Sequence, residues 1–323
     1  MNAWDGFLLV AGLVVLALGG EALVRGAAKL ARVLGLTPLV VGVTVVAIGT
    51  SAPEMAVSLH AAFTGAEDVS VGNVVGSNLL NLLVVLGSAA LLVPLVVAQR
   101  LIWWDIPIMI AATALVLVLG WDGALSRVDG AILLTVLAVY LVAAVLLSGR
   151  ESEEVQAEYE GEFGGPVPSG GAAVLQQSLL ILAGLAMLVF GAEIFVDGAI
   201  GIARALGISE LIISLTIVAV GTSLPELVTA LIAASKGEAD IAVGNVVGSN
   251  IMNLLSILGV TALVAGDGLT MPAPVISFDL PFLLLASLAC LPILWSGHRL
   301  SRAEGALFLV AYAVYVVWLL AGT

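Results

Sequence analysis

The chain has 323 residues, of which 61% are hydrophobic and only 10% charged, with a net charge of −13 and a mean hydropathy of +1.21. This composition excludes an ordinary soluble globular protein and indicates a polytopic membrane protein, while the charge balance excludes a nucleic-acid partner. A single cysteine, Cys290, excludes an internal disulfide.

In chain order, apolar runs long enough to cross a bilayer fall at roughly 6–24, 37–63, 71–96, 101–120 and 126–148. The opening MNAWDGFLLV lacks a basic leader segment, so the first run is expected to stay as a helix and not be cleaved. A run rich in glutamate, ESEEVQAEYEGE at 151–162, then reads as a solvated linker. Five more apolar runs follow at 174–196, 209–235, 241–264, 276–296 and 303–320. The expected organisation is a five-helix unit over 1–148, a short acidic cytoplasmic linker over 149–173, and a second five-helix unit over 174–323.

The two units are copies. Residues 38–87 align without a gap on 210–259 at a constant offset of 172, with 27 of 50 positions identical. The offset extends upstream, where Gly12, Gly19, Glu21, Gly26, Arg32 and Gly35 pair with Gly184, Gly191, Glu193, Gly198, Arg204 and Gly207. An odd number of spans per copy turns the second copy upside down, so the expected fold is all-α, ten transmembrane helices in two inverted five-helix repeats. The basic residues agree. With both termini outside, the inner side holds Arg25, Lys29, Arg32, Arg100, Arg150, Lys236, Arg299 and Arg302, and the outer side only Arg127 and Arg204.

Each copy places one glutamate inside an apolar span, in GTSAPE (49–54) and GTSLPE (221–226). A charged side chain at that depth costs roughly 2.5–3.5 kcal/mol on insertion scales. Pro53 and Pro225 lack an N–H and clash with the carbonyls of Gly49 and Gly221, so carbonyls around Ala47–Thr50 and Ala219–Thr222 are expected to lose helical partners. Broken backbone at membrane depth is tolerated where it lines a cavity or an ion site. Thr50 and Glu54 are four residues apart and share a helix face, as do Thr222 and Glu226, with Ser51 and Ser223 adjacent. A second repeated motif, GNVVGSNLLN (72–81) and GNVVGSNIMN (244–253), sets Asn73, Ser77 and Asn81, and Asn245, Ser249 and Asn253, along one side of a helix. Such small and amide residues also serve as packing glue. Two glutamates with no basic residue in either motif repel unless a cation or a proton sits between them. Two carboxylates with carbonyl and hydroxyl oxygens offer about 6–8 hard ligands, which suits Ca²⁺. His60 has no counterpart in the other copy, where Ile232 stands, and reads as an interfacial residue. Transition metals are therefore disfavoured. Ser51 is not in a G-x-S-x-G elbow, and neither His60 nor His298 lies in a repeated element, so no enzyme is expected.

The paired GTSxPE and GNVVGSNxxN motifs resemble the two alpha-repeats of the cation/calcium exchanger superfamily, most closely its prokaryotic sodium/calcium exchangers, over nearly the whole chain. The resemblance implies an antiporter that exchanges Na⁺ for Ca²⁺ by alternating access, in the inner (plasma) membrane, with its cation site at the midplane between the repeats. It implies metal ligation by Glu54 and Glu226, by the backbone at Ala47, Thr50, Ala219 and Thr222, by the hydroxyls of Ser51, Ser223, Ser77 and Ser249, and by Asn81 and Asn253. It implies no cofactor beyond the transported ions, no obligatory protein partner, and first and sixth helices that slide across a core. Several family members carry an aspartate where this chain has Asn81 or Asn253. Two formal charges balance one Ca²⁺ or two Na⁺, so an H⁺/Ca²⁺ antiporter using the same two glutamates stays open.

Overall fold

The computed structural model describes residues 3–65, 67–148, 170–206, 219–266, 268–295 and 297–321. Nearly everything described is helix. The first half comprises α1 (Ala3–Leu34), α2 (Pro38–Thr50), α3 (Ala52–Phe63), α4 (Glu67–Leu92), α5 (Leu101–Asp122) and α6 (Arg127–Ser148). The second comprises α7 (Gly171–Ala205), α8 (Ala219–Thr222), α9 (Leu224–Ser235), α10 (Ala239–Val264), α11 (Val275–Trp295) and α12 (Arg302–Ala321). Among the described residues, eight helices are long and apolar enough to cross a membrane, and nine when the bent α2–α3 pair is taken as one span. The start of the expected span 209–235 and the acidic run of 151–162 lie outside the described residues.

Several of these helices differ in extent from the apolar runs. The first run closes near 24, yet α1 continues to Leu34. Arg25, Lys29 and Arg32 end the hydrophobicity without ending the helix, so these residues sit on its last turns and not in a loop. In the same way α7 runs over 35 residues. At 1.5 Å per residue, both are longer than the roughly 30 Å hydrocarbon thickness and project beyond it.

α1 and α7 pack side by side, antiparallel, through glycines. A methyl group on Gly19 would lie 2.9 Å from the Gly184 carbonyl oxygen, and one on Gly184 would lie 2.6 Å from the Leu23 backbone nitrogen. Gly12 meets Phe195, Gly26 meets Ile181, and Gly198 meets Leu9 in the same manner. Backbones this close are how helices associate where no hydrophobic force separates them from lipid.

The other helices form the core. α4 and α10 are its most enclosed spans, and α10 is buried without interruption from Ile241 to Met252. Two short antiparallel ladders tie the halves together, β1 (Leu95–Val96) with β4 (Arg299–Leu300) and β2 (Ala124–Leu125) with β3 (Leu269–Thr270). All six tryptophans are exposed, and all stand near helix ends: Trp4, Trp103, Trp104, Trp121, Trp295 and Trp318. A water-soluble protein buries such side chains, whereas a membrane protein sets them at the two lipid–water interfaces.

Candidate cation site

The GTSxPE segment breaks where Pro53 removes a donor. α2 stops at Thr50, Ser51 leaves the helix, and α3 resumes at an angle of 44°. In the second half, α8 and α9 flank Ser223 in the same way. The freed backbone differs from expectation in one respect. The Ala47 carbonyl still accepts the Ser51 N–H at 3.1 Å and the Thr50 hydroxyl at 3.5 Å. The Ser223 N–H donates to the Val220 carbonyl at 3.2 Å.

The breaks bring the repeated residues together across the two halves. Glu54 and Glu226 are fully buried and close enough to interact electrostatically. Each carboxylate is held by a serine of the other half: Ser223 donates to Glu54 Oε1 at 3.0 Å, and Ser51 donates to Glu226 Oε1 at 3.3 Å. Thr222 faces Glu54, and Thr50 and Ser249 face Glu226. Thr50 Oγ1 lies 3.4 Å from Ser249 Oγ and donates to Asn245 Oδ1 at 3.1 Å. Ser77 is buried on α4, and Asn81 and Asn253 are fully buried on α4 and α10. Each of these asparagines lies in a one-turn π-helical widening, Leu80–Val85 and Asn253–Ile257. Such bulges are frequent at functional sites. Ala47 is buried at the centre of the packing, and Ala219 opens α8.

Two residues absent from the expected set take part. Asn78 donates to the Asn250 carbonyl at 3.4 Å, and Asn250 donates to the Asn78 carbonyl at 3.3 Å. This reciprocal pair joins residues 172 apart and locks α4 to α10. Asn253 also donates to Asn78 Oδ1 at 3.1 Å. Both residues are present in the GNVVGSN motif, but a stripe read at every fourth residue steps over them. Asn73 donates to the Glu54 carbonyl at 3.2 Å and to Ser58 at 3.0 Å, which fixes α3 against α4. A second repeated pair lies outside the gap-free window. Tyr140 donates to Asp105 at 2.9 Å, and Tyr315 donates to Asp279 at 3.0 Å.

Oxygens and amide nitrogens alike are left unpartnered at the centre, Asn81 Nδ2 and Asn245 Nδ2 among the nitrogens of the described residues. Glu54 Oε2, Glu226 Oε2, Asn81 Oδ1 and Asn253 Oδ1 have no hydrogen-bond partner among the described residues. Leaving such a group unpaired costs about 1–3 kcal/mol, more for a charge. Among the described residues no group of three or more His, Cys, Asp or Glu could hold a metal ion. The donor set is therefore two carboxylates supplemented by amides and hydroxyls, all hard oxygens. Hard cations suit it and soft ones do not.

Fold and site together define a multi-pass membrane protein with a buried, anionic, oxygen-lined centre built from both halves. The family model described as sodium/calcium exchanger protein matches residues 4–146 and again 177–321, and the chain belongs to that family. It is 39% identical over 314 residues to CaxA of Alkalimonas amylolytica, with 96% of each chain covered. It is 31% identical over 344 residues to the sodium/calcium exchanger MaX1 of Methanosarcina acetivorans, covering 96% of this chain and 97% of that one. A solved structure of the sodium-calcium exchanger NCX_Mj superimposes with a TM-score of 0.84 at 33% identity, covering 98% of this chain and 99% of that chain. By name MaX1 and NCX_Mj are sodium/calcium exchangers and CaxA is an antiporter.

Proposed function

We propose that the chain is a secondary antiporter of ten spans in two inverted repeats, exchanging Na⁺ for Ca²⁺ in the inner (plasma) membrane with both termini outside. Glu54 and Glu226 are the shared ligands, and competition between the ions for them is the coupling. The observation that carries this is the set of unpartnered oxygens on Glu54, Glu226, Asn81 and Asn253, four residues matched in pairs across the duplication. Thr50, Thr222, Ser51, Ser223, Ser77 and Ser249 complete the cage with the backbone at Ala47 and Ala219.

Inversion is supported by the ladders. β1 and β3 occupy corresponding loops of the two halves, as do β2 and β4, yet β1 pairs with β4 and β2 with β3. Corresponding loops thus sit on opposite faces, as they do when one half is upside down.

Alternating access is supported by an asymmetry between matched helices. α1 packs along α9, where Gly20 approaches Ile232 and Val228, while the corresponding pair, α7 and α3, makes at most marginal contact. Ala52, Ala56, Val57 and His60 on α3 are exposed, whereas Leu224, Val228, Thr229 and Ile232 on α9 are covered to varying degrees. The α1–α7 pair thus covers α9 and leaves α3 uncovered among the described residues. Sliding the α1–α7 pair would exchange the two situations.

The test is ⁴⁵Ca uptake into liposomes loaded with Na⁺ and diluted into Na⁺-free buffer at constant pH, beside a sample carrying only a pH gradient. Na⁺-driven uptake is expected; its absence in both samples would sink the proposal. A second reading, H⁺/Ca²⁺ exchange on the same two glutamates, is favoured by the amides at Asn81 and Asn253, which cap the charge of the site at two. Uptake in the pH-gradient sample alone would select it.

A further inference from the structure

Four of the ten Lys and Arg residues of this acidic chain surround one cavity of about 290 Å³. Arg25, Lys29 and Arg32 come from the last turns of α1, and Lys236 from the turn between α9 and α10. The apolar part of the lining is Val24 and Ala28, and Glu238 closes one side. Arg25 and Lys236 share a single carboxylate, Glu21, with Lys236 Nζ at 2.7 Å from Glu21 Oε1. Lys29 and Arg32 are exposed. Among the described residues neither has a carboxylate within salt-bridge distance, and Arg32 Nε reaches only the Ala28 carbonyl at 3.3 Å. Burial pushes the Glu238 carboxyl above its usual range, although Arg32 and Lys236 pull it down. Four cations against two carboxylates leave the cavity positive.

Depth and spacing point to a ligand at the membrane surface. Counted from the exposed Trp4, a 30 Å hydrocarbon layer consumes about 20 residues of helix, which ends near Val24. Positions 25, 29 and 32 are then at headgroup level and on one helix face. The duplication accounts only for Arg32, whose counterpart is Arg204; Asp197, Gly201 and Thr64 stand at the positions corresponding to Arg25, Lys29 and Lys236. Orienting the protein in the membrane requires positive charge on a side, not four cations from two elements around a cavity with an apolar lining.

We infer that this cavity binds the phosphate of an anionic headgroup, with Lys29 and Arg32 as the free donors and Arg25 and Lys236 reinforcing them. Such a ligand would bridge α1 to the α9–α10 turn. Under the exchange reading, on which this consequence rests, α1 moves against that turn in every cycle, so headgroup binding would set the rate of the cycle.

The experiment is native mass spectrometry of the full-length protein titrated with phosphatidylglycerol or phosphatidylcholine, with and without glycerol phosphate, on the wild type and on Lys29→Gln/Arg32→Gln. Among the described residues neither replaced residue holds a salt bridge, and an unchanged Tm verifies the fold. One phosphatidylglycerol is expected to be retained at least tenfold more tightly than phosphatidylcholine, with that preference lost in the double variant. Displacement by millimolar glycerol phosphate would assign the site to a soluble phosphate, and no displacement would assign it to the lipid. Equal retention of the two lipids, or a preference undiminished by the double substitution, would overturn the inference. ⁴⁵Ca uptake in vesicles of the two lipids separates the two readings. Rates should differ at least twofold for the wild type and converge for the variant, whereas no uptake with lipid preference intact would strike the exchange reading and leave the site standing.

Discussion

Glu54 and Glu226 each present one oxygen to a serine of the opposite half and one to no partner among the described residues. Glu54→Gln or Glu226→Gln keeps the shape and removes a charge that repels its twin. Each is expected to lower Na⁺-driven ⁴⁵Ca uptake at least 100-fold while leaving Tm unchanged or raised; normal flux in both variants would refute their role. Ser51→Ala and Ser223→Ala remove one hydrogen bond worth about 1 kcal/mol, so each is expected to weaken Ca²⁺ binding roughly fivefold. Asn253→Asp adds a third carboxylate and should tighten Ca²⁺ binding, measured by ⁴⁵Ca competition, because affinity rises with ligand charge. The carboxylates were legible in the sequence because an unpaired charge inside an apolar span demands a reason. Asn78 and Asn250 were not, because their function lies in reciprocal bonds to each other's backbone, which no spacing along a single helix encodes.

Among the elements, the α1–α7 pair is governed by backbone approach. A methyl group on Gly184 would stand 2.6 Å from the Leu23 nitrogen and 2.8 Å from the Gly19 oxygen, atoms that move only if the whole helix moves. Gly184→Ala is therefore expected to force the pair apart and cost about 1–3 kcal/mol, read as a lowered Tm in detergent. On Gly49 the obstacle is the Leu185 side chain, which can rotate away. Gly49→Ala should thus cost less than Gly184→Ala, and the reverse order would count against the packing described here. The existence of these helices followed from apolar runs, but their ends did not. α1 outlasts its hydrophobic stretch by about ten residues because helix formation tolerates Arg and Lys well, and only their affinity for the lipid surface changes at Val24. The breaks in α2–α3 and α8–α9, by contrast, were written in Pro53 and Pro225.

For the whole molecule, the gap-free duplication announced two related halves long before any helix was placed. The aspartate–tyrosine pairs escaped because Asp105 and Asp279 are 174 apart and Tyr140 and Tyr315 are 175 apart, outside the constant offset. The asymmetry between matched helices escaped for a deeper reason. Two copies of one motif carry no record of which copy the α1–α7 pair covers, because both arrangements satisfy the same sequence. Linking α1 to α9 through Gly20→Cys and Val228→Cys with a short bismaleimide, in a Cys290→Ala background, should hold the present arrangement. Uptake is expected to stop and to stay stopped, and continued uptake would show that α1 does not move.

The paired loops have a mechanical consequence. Because β1 is laced to β4 at one surface and β2 to β3 at the other, the two halves are clamped at both ends of the bilayer. Neither can tilt against the other without tearing both seams, which under the proposed exchange leaves motion to the glycine-lined α1–α7 pair. A disulfide between Ala124→Cys and Thr270→Cys would weld a seam that never opens, and such a protein should turn over at the unwelded rate. Under the proposed exchange, each cycle would drag one narrow helix pair through lipid and leave most of the protein at rest, so the friction of turnover would scale with that pair alone.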